Sequence, residues 1–496
     1  MKKQLLHLSI ILLIALSAQA QDEYTISFEL DEAILMAQQQ SPDAIAARHN
    51  FRSQYWNYCY YKANYLPSLV LSSAPNFNHS INAVTMPDGT SDFVQQNQLV
   101  TDGTLMLSQN VALTGGRFFV RSALERLDIL GNDYTSYKTT PVVIGYEQAL
   151  LGYNSLKWDR KIEPLRFEEA KRSYVETMVV VASRTISRFF NLAMAQANLQ
   201  IAQTNYANAD TLYLLAQGRY DIGTITENEM LQLEINRLTE ESNMLNAQIE
   251  LDNGMQDLRT YLGISDQSQI EVKIDGAVPP LVLEPTSVLQ LALNNSPDIL
   301  AMKRRLLESE SNVSRAKASQ GFNLNLFAQL GLTQTATELD QAYKKPLNQQ
   351  YVELGVRIPI LDWGRGKGTV RVAQSNRDMT RTQVEQERTN FEYDIVKMVK
   401  QFNIQHGKVT IAAKTDRTAE RRGDVARRLY ILGKSTILEL NASIVEKDSA
   451  KRGYINALFN YWSLYYNLRA FTLYDFEKDI PLTEDYNRLV KMLLNE

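Results

Sequence analysis

The feature that most constrains how this chain can fold is an internal duplication. Ser41-Pro42-Asp43 recurs as Ser296-Pro297-Asp298, an offset of 255 residues, with matching residues on either side of the motif. A second set of matches, at an offset of 210, relates Gly145, Tyr220 and Gly223 to Gly355, Tyr430 and Gly433. The offsets differ by 45, so the first half carries about 45 extra residues between Pro67 and Pro141. Such a repeat predicts one structural unit used twice.

Both halves show the same order of sequence periods: a helix, a β section, a long helix, a glycine-bearing turn and a second long helix. We therefore predict a first structural repeat over residues 21–263, which includes the extra 45 residues, and a second over residues 286–473. Residues 264–285 are rich in proline and are predicted to be a linker with one short strand. Residues 474–496 follow the second repeat as a C-terminal tail. The expected fold is mainly α with a β section.

The N-terminus has the pattern of a secretory signal peptide over residues 1–20. Lys2 and Lys3 precede an almost entirely apolar run from Leu5 to Leu16, and Ala18-Gln19-Ala20 then gives a small-x-small cleavage pattern. We expect cleavage near Ala20 and export of the mature chain. No later segment reaches about 18 consecutive apolar residues, the length that a transmembrane helix needs. If the exported chain spans a membrane, it must therefore do so as a β-barrel.

The second repeat contains a heptad seam within one predicted helix from about Arg365 to Leu432. Its apolar residues step by 7, 4, 3, 4 and 7 positions, at Val384, Phe391, Ile395, Met398, Phe402 and Val409. Such a seam has to be buried against partner helices. An ordinary coiled coil or a spectrin-like bundle would explain the long helices, but not the segment that lies between them.

Period-2 alternation appears between the helices of each repeat. From Tyr351 to Leu361, valine, leucine and isoleucine alternate with Glu353, Gly355 and Arg357, and a shorter run around Gly145 alternates in the same way. Strands of about ten residues that are apolar on one face and polar on the other are typical of transmembrane barrels, although a soluble sandwich gives the same alternation. We expect about four strands per chain, with a further hairpin near Thr104–Leu113 in the 45-residue excess. So few strands close a barrel only if several copies share them.

Composition argues against several classes of function. The formal charge of −4 lacks the excess of lysine and arginine that nucleic-acid binding needs. The single cysteine, Cys59, excludes an intrachain disulfide, and the four histidines are not grouped as a local metal pair. We found no nucleophile–base pair by spacing. The sequence therefore predicts neither a cofactor, nor a metal site, nor an enzyme.

The duplicated helix, Ser-Pro-Asp corner and strands resemble those of the outer membrane efflux protein family, the TolC-like outer-membrane factors. The turn Arg219-Tyr220-Asp221-Ile222-Gly223-Thr224 is the motif most like that of the family, and Tyr430-Ile431-Leu432-Gly433-Lys434-Ser435 matches it less well. The resemblance implies a homotrimer with a 12-stranded outer-membrane barrel, four strands from each copy, continued by an α-helical tunnel through the periplasm. It also implies a periplasmic adaptor (membrane fusion) protein and an inner-membrane RND or ABC transporter as partners.

The resemblance also assigns candidate functional residues at the glycine turns. It implies that Arg219, Tyr220, Gly223, Thr224, Tyr430, Gly433 and Lys434 lie at the periplasmic mouth and contact the adaptor. Six residues after each glycine stand Glu229 and Glu439, which match the first acidic position of the family's constricting carboxylate ring. A second acidic position is replaced by Gln232 and Ala442, so a reduced ring is implied. The alternative is that both acids are favoured simply because they lie near a helix N-terminus.

Within the β section, Glu147, Glu353 and Arg357 are predicted to face the barrel lumen. Glu147 and Arg357 are equivalent in the duplication, and they could pair across the pore or only fix the strand register. The function expected from the resemblance is a passive export channel of a tripartite efflux or type I secretion system. An exported periplasmic coiled-coil protein, structural or adaptor, without any pore is the alternative.

Overall fold

The computed structural model describes residues 25–131, 133–265 and 269–482. The predicted signal peptide and most of the predicted C-terminal tail lie outside these residues. The chain divides into two compact units: one comprises Arg52–Ala170 and Asp298–Thr389, and the other comprises the remaining segments, including Lys171–Pro297 and the residues from Asn390 onward. Both units draw on both predicted repeats, so the division does not follow the repeat boundary.

The first unit is built on one antiparallel sheet. Its strands are β2 (Ser68–Ser72), β3 (Asn76–Thr85), β4 (Ser91–Val111), β5 (Gly116–Ile129), β6 (Tyr134–Ala149), β8 (Asn323–Ala336) and β9 (Leu347–Arg357). The order across the sheet is β2-β4-β5-β6-β8-β9, and β3 pairs with β4 beyond the end of β2. The last strand of the first repeat, β6, therefore pairs directly with the first strand of the second repeat, β8.

The sheet has more strands than the four per chain that the family resemblance implies. It contains seven strands in the described part of the chain, and β2 and β3 share one position because they pair with different stretches of β4. Six positions therefore lie side by side. The two added positions are β4 and β5, joined by a tight turn at Gly115, which has a φ of +80°. They form the further hairpin expected near Thr104–Leu113. The strand β4 is longer than expected, because its run Gln95-Gln96-Asn97-Gln98 does not alternate and gave no sign of a strand.

The helices are much longer than the strands. They are α1 (Leu30–Gln40), α2 (Pro42–Ala63), α3 (Ser155–Asp221), α4 (Glu227–Leu262), α5 (Pro285–Asn295), α6 (Pro297–Gln320), α7 (Arg365–Asn403), α8 (Gln405–Ile431) and α9 (Ile437–Thr472). Within the described residues, no helix combines the length and the apolar character that crossing a membrane requires.

The predicted helix from Arg365 to Leu432 is broken once, at Ile404, between α7 and α8. The Asn403 side chain accepts a hydrogen bond from the Leu283 N–H (2.9 Å) and donates one to the Leu283 carbonyl (2.8 Å). This pairing with the linker accompanies the interruption of the helix. The heptad seam itself is buried, at Phe391, Ile395, Phe402 and other positions, and Met398 is half-buried.

In the second unit, the linker and the Ser-Pro-Asp corners organise the helix ends. The short strand β7 (Gln269–Val272) pairs in parallel with β1 (Thr25–Phe28). Ser41 ends α1 through its own N–H and begins α2 by accepting the Ala44 N–H on its hydroxyl (3.2 Å). The core of this unit contains fully buried residues of three helices, among them Phe189 and Leu192 of α3, Leu258 of α4 and Tyr461 of α9.

Candidate functional site

One face of the sheet carries large apolar side chains that are exposed. Residues paired across antiparallel strands point to the same face, so one row can be followed from Leu69 to Leu107, Val120, Ile144 and Leu330. Further members of this apolar face are Leu71, Leu105, Phe118, Val352, Leu354 and Val356. Leu71 and Val352 are 74% and 72% exposed. The apolar face includes β4 and β5 and is continuous across the sheet.

The opposite face carries charged and polar side chains. A row on this face runs through Arg117, Glu147, Phe327 and Glu353. Arg117 donates to Glu147 at 3.0 Å, and the Tyr351 hydroxyl donates to Glu353 at 2.6 Å. The structure thus places Glu147, Glu353 and Arg357 on one face, but Glu147 pairs with Arg117 rather than with Arg357.

A small apolar patch interrupts this charged face. The Phe119 ring lies against Gly145, where an added Cβ would meet the ring at 2.2 Å, and Phe119 stacks on Phe327 with ring centroids 5.8 Å apart. A side chain at Gly145 would therefore collide with the Phe119 ring of the neighbouring strand. Its counterpart Gly355 has no comparable contact: the nearest atom to an added Cβ is 3.8 Å away.

The two predicted turns in the second unit have the same backbone structure. Gly223 and Gly433 have φ values of +74° and +68°. Thr224 N–H donates to the Arg219 carbonyl (2.8 Å), and Lys434 N–H donates to the Leu429 carbonyl (2.9 Å). With the Gly223–Tyr220 and Gly433–Tyr430 bonds, these are Schellman motifs, in which glycine takes the left-handed position that ends the helix.

Each turn is followed by a capping box that contains the predicted acidic residue. Thr226 and Thr436 are the N-caps of α4 and α9, and their hydroxyls accept the N–H of Glu229 (3.3 Å) and Glu439 (3.2 Å). The carboxylates bond back to the cap residues, with Glu229 accepting the Thr226 N–H at 3.0 Å. Both acids therefore serve the helix N-terminus, as the alternative interpretation expects.

The two turns lie side by side. A cavity of about 310 Å³ between them is lined by Arg219, Glu229, Tyr430 and Thr436 among others. The Ser435 hydroxyl and the Thr436 N–H donate to Glu439 and hold the pKa of its carboxyl below the usual value. The structure thus brings Arg219, Glu229 and Tyr430 to one cavity, whereas Glu439 is not among its lining residues.

Sequence reasoning missed Arg117 and Arg121, which lie on the charged face of β5. Arg121 donates to Gln329 at 3.5 Å, and Arg117 is the partner of Glu147. The signal was present in Arg117-Phe118-Phe119-Val120-Arg121, where both arginines share one face and Phe118 and Val120 the other.

Known proteins share both the sequence pattern and the fold. A family model described as "Outer membrane efflux protein" matches residues 33–264 and 288–470. The chain is 23% identical over 224 residues to the "Probable outer membrane lipoprotein SilC" of Salmonella typhimurium, covering 44% of this chain and 46% of that protein. It is also 23% identical over 229 residues to the "Cation efflux system protein CusC" of Escherichia coli K12, covering 46% and 48%. The chain spans about half the length of these curated relatives.

Solved structures extend the likeness over nearly the whole chain. The Campylobacter jejuni CmeC outer membrane channel superposes with a TM-score of 0.65 at 16% identity, covering 94% of this chain and 89% of that one. The Vibrio cholerae outer membrane protein VceC gives 0.62 at 16% identity, covering 89% and 95%. At such identities the likeness establishes the fold. Because the family model matches most of both predicted repeats, the resemblance inferred from the sequence is confirmed: the chain belongs to the outer membrane efflux protein family.

Proposed function

We propose that this chain is the outer-membrane channel component of a tripartite efflux or type I secretion system. Three copies would form a passive duct for export from the periplasm or from an inner-membrane pump. The observation that carries the proposal is the two-faced sheet. Its apolar face is exposed across all six strand positions, while Arg117, Glu147 and Glu353 share the other face.

An apolar face of this extent needs to be covered from water. Each square ångström of apolar surface removed from water contributes about 25 cal/mol, so the face is stabilised wherever it is covered. Lipid hydrocarbon covers such a face when the sheet closes into a barrel, and the charged face then borders water in the lumen. Isolated soluble proteins rarely leave a contiguous apolar patch of this kind exposed.

Family membership supports a proposal for the partners. We propose a homotrimer embedded in outer-membrane lipid, docked to a periplasmic adaptor and, through it, to an inner-membrane RND or ABC transporter. The contact residues would be those of the paired turns, Arg219, Tyr220, Gly223 and Thr224 with Tyr430, Gly433 and Lys434. Glu229 and Glu439 would supply negative charge near the mouth, and Glu147, Glu353 and Arg357 would line the barrel lumen. The family resemblance implies four strands from each copy, whereas each copy of this chain brings six strand positions.

The alternative is a periplasmic structural or adaptor protein without a pore. Long helices with buried heptad seams suit that function equally well, but it gives the exposed apolar face of the sheet no role. The two functions differ in where the protein resides: a channel stays in the outer membrane until detergent is added, and a poreless periplasmic protein is released in water.

The test is conductance of the purified full-length protein in planar lipid bilayers. We expect discrete, long-lived current steps, and their absence from protein that is correctly folded would contradict the channel. Two arginine variants, three residues apart on opposite faces of β9, serve as a matched pair. Val352→Arg on the apolar face should impair outer-membrane assembly, since arginine at the bilayer midplane costs about 2–4 kcal/mol. Gln349→Arg on the charged face should assemble and conduct.

A further inference from the structure

The sheet has two outer edges that have no partner strand among the described residues. One edge is formed by β2 and β3, and the other by β9. An open edge presents a row of N–H and C=O groups that pair readily with a further strand. In a membrane each unpaired group costs several kcal/mol, so both edges must be satisfied there.

The duplication shows how the two edges can meet. An offset of 255 makes β2 the counterpart of β8, and an offset of 210 makes β6 the counterpart of β9. The same offset of 210 takes the start of α3, Ser155, to the start of α7, Arg365. Within the chain, β6 already pairs with β8. The pairing of β9 with β2 of another copy is the same junction between repeats, made between chains.

We propose that β9 of one copy pairs with β2 of the next in the register that β6 and β8 use, so that three copies close a barrel of 18 strands rather than 12. The number of copies rests on the proposed function; the number of strands per copy rests on the sheet. Because each copy brings six positions, an even number, every junction between copies is antiparallel, as every junction within the chain is.

The register of the junction follows from the internal pairs. Leu326 pairs with Gln148 within the chain. The offset of 255 relates Leu326 to Leu71, and the offset of 210 relates Gln148 to Ile358. The equivalent pair between copies is therefore Leu71 opposite Ile358 of the neighbouring copy. Both side chains are exposed, at 74% and 58%, and both belong to the apolar face by alternation. In the same way, the internal pair of Phe327 with Glu147 corresponds to Ser72 opposite Arg357 of the neighbouring copy, on the charged face. The junction therefore continues both faces of the sheet without interruption.

The hairpin of β4 and β5 is part of the barrel wall in this arrangement. Leu107 and Val120 lie between Leu69 and Ile144 in the apolar row, and Arg117 pairs with Glu147 on the charged face. A hairpin lying outside the wall would have no reason to match both faces of its neighbours. Barrel diameter grows about linearly with strand number, so 18 strands give a barrel roughly 1.5 times as wide as 12.

Two mutually exclusive disulfides decide the number of strands. In the six-position sheet Leu69 faces Leu107. In the alternative sheet, β2 would pair directly with β6, just as β8 pairs with β9 in the second repeat. The counterpart of the Leu324–Val356 pair would then be Leu69 facing Tyr146. Each cysteine pair is introduced into the full-length Cys59→Ser protein, oxidised with diamide in outer-membrane preparations, and assayed by protection from a maleimide that shifts gel mobility.

We expect Leu69→Cys with Leu107→Cys to be protected almost completely, and Leu69→Cys with Tyr146→Cys to remain labelled. The reverse pattern, or protection of neither pair, would overturn the proposal. A second set of variants guards against a folding defect in one variant. Ser68→Cys with Ser108→Cys tests the six-position sheet, in which the two serine hydroxyls are 2.9 Å apart. Ser68→Cys with Glu147→Cys tests the alternative in which β2 pairs with β6.

The junction between copies has its own readout. Leu71→Cys with Ile358→Cys should give reductant-sensitive dimers and trimers on a denaturing gel. Leu71→Cys with Val352→Cys, six residues or about 20 Å away along β9, should not. A trimer in which Leu69 closes on Tyr146 refutes the 18-stranded barrel and leaves the channel function standing. Protein that forms no trimer in the membrane refutes the proposed function as well.

Discussion

Glu229 and Glu439 each combine a capping position at a helix N-terminus with a carboxylate charge. Each is the third residue after its N-cap threonine and closes a capping box with it. Hydrogen bonds from Ser435 and Thr436 keep the pKa of Glu439 low, so its charge persists through the physiological pH range. The capping function needs hydrogen-bond acceptors, whereas a selectivity ring needs charge. The two functions can therefore be separated by substitution.

Glu439→Gln and Glu439→Ala form a matched pair for that separation. Glutamine keeps the capping box and removes the charge; alanine removes both and should cost on the order of 1 kcal/mol of stability. If the acid contributes to a ring, the cation-to-anion permeability ratio of single channels falls in both variants. If the ratio equals that of the wild type in both, the acid is a cap and nothing more.

Gly433 is needed for its backbone rather than for space. No atom lies within 4 Å of an added Cβ, but its φ of +68° disfavours any L side chain. We expect Gly433→Ala to destabilise the turn by about 1–2 kcal/mol, the cost of the left-handed conformation. Gly453→Ala, in the middle of α9 and equally open, should be neutral or slightly stabilising because alanine favours a helix. Thermal melts of both variants make the comparison, and equal melting temperatures would contradict it.

Among the elements, those with local chemical signals were predicted and those without were not. The corners at Ser41 and Ser296 and the turns at Gly223 and Gly433 follow from capping residues and glycine. The break at Ile404 coincides with the bonding of Asn403 to the distant linker, which no local pattern reveals. The polar stretch of β4 is held as a strand by pairing with β3 and not by its own alternation.

The C-terminal pair of short strands, β10 (Tyr474–Asp475) and β11 (Ile480–Pro481), is fixed to α9 by an ion pair. Arg469 lies 3.1 Å from the buried carboxylate of Asp475, which also accepts the Tyr465 hydroxyl at 2.9 Å. Burial opposes ionisation, but the Arg469 charge and these hydrogen bonds outweigh it, so the pKa of Asp475 lies below its ordinary value. The ionised form is therefore the one that stabilises the fold.

A depressed pKa in the folded state sets the sign of the pH dependence. The stabilisation is fully present above the pKa of the unfolded carboxyl and is lost as the pH falls through the lower folded value. Asp475→Asn should cost about 3 kcal/mol at neutral pH, as breaking a buried ion pair does. It should also remove part of the acid sensitivity. Asp378→Asn, which breaks an exposed pair with Arg377, should cost no more than about 1 kcal/mol. Urea titrations at neutral pH and near pH 4 test both, and similar losses in the two variants would contradict the argument.

At the scale of the whole molecule, the duplication explains how two similar β sections of one chain join into a single sheet. The first repeat ends its β section on β6 and the second begins on β8, and their pairing joins two similar units into one sheet. The extra hairpin lengthens only the first repeat, so the two units are no longer equal in width. The helix order and the family could be predicted from the sequence because both depend on spacing. The extra hairpin was expected near Thr104–Leu113, but its place between β2 and β6 could not be predicted, because that depends on which strand edges meet.

The central claim is that the sheet crosses the outer membrane while the helical turns stay in the periplasm. Labelling of single cysteines on whole cells with a bulky, membrane-impermeant maleimide tests it most directly. In the Cys59→Ser protein, Asp88→Cys lies in the exposed turn between β3 and β4, and Lys434→Cys lies in the exposed turn after α8. We predict that Asp88→Cys is labelled on intact cells and that Lys434→Cys is labelled only after the outer membrane is permeabilised. Labelling of both positions only after permeabilisation would contradict the account, since it would place the whole protein in the periplasm.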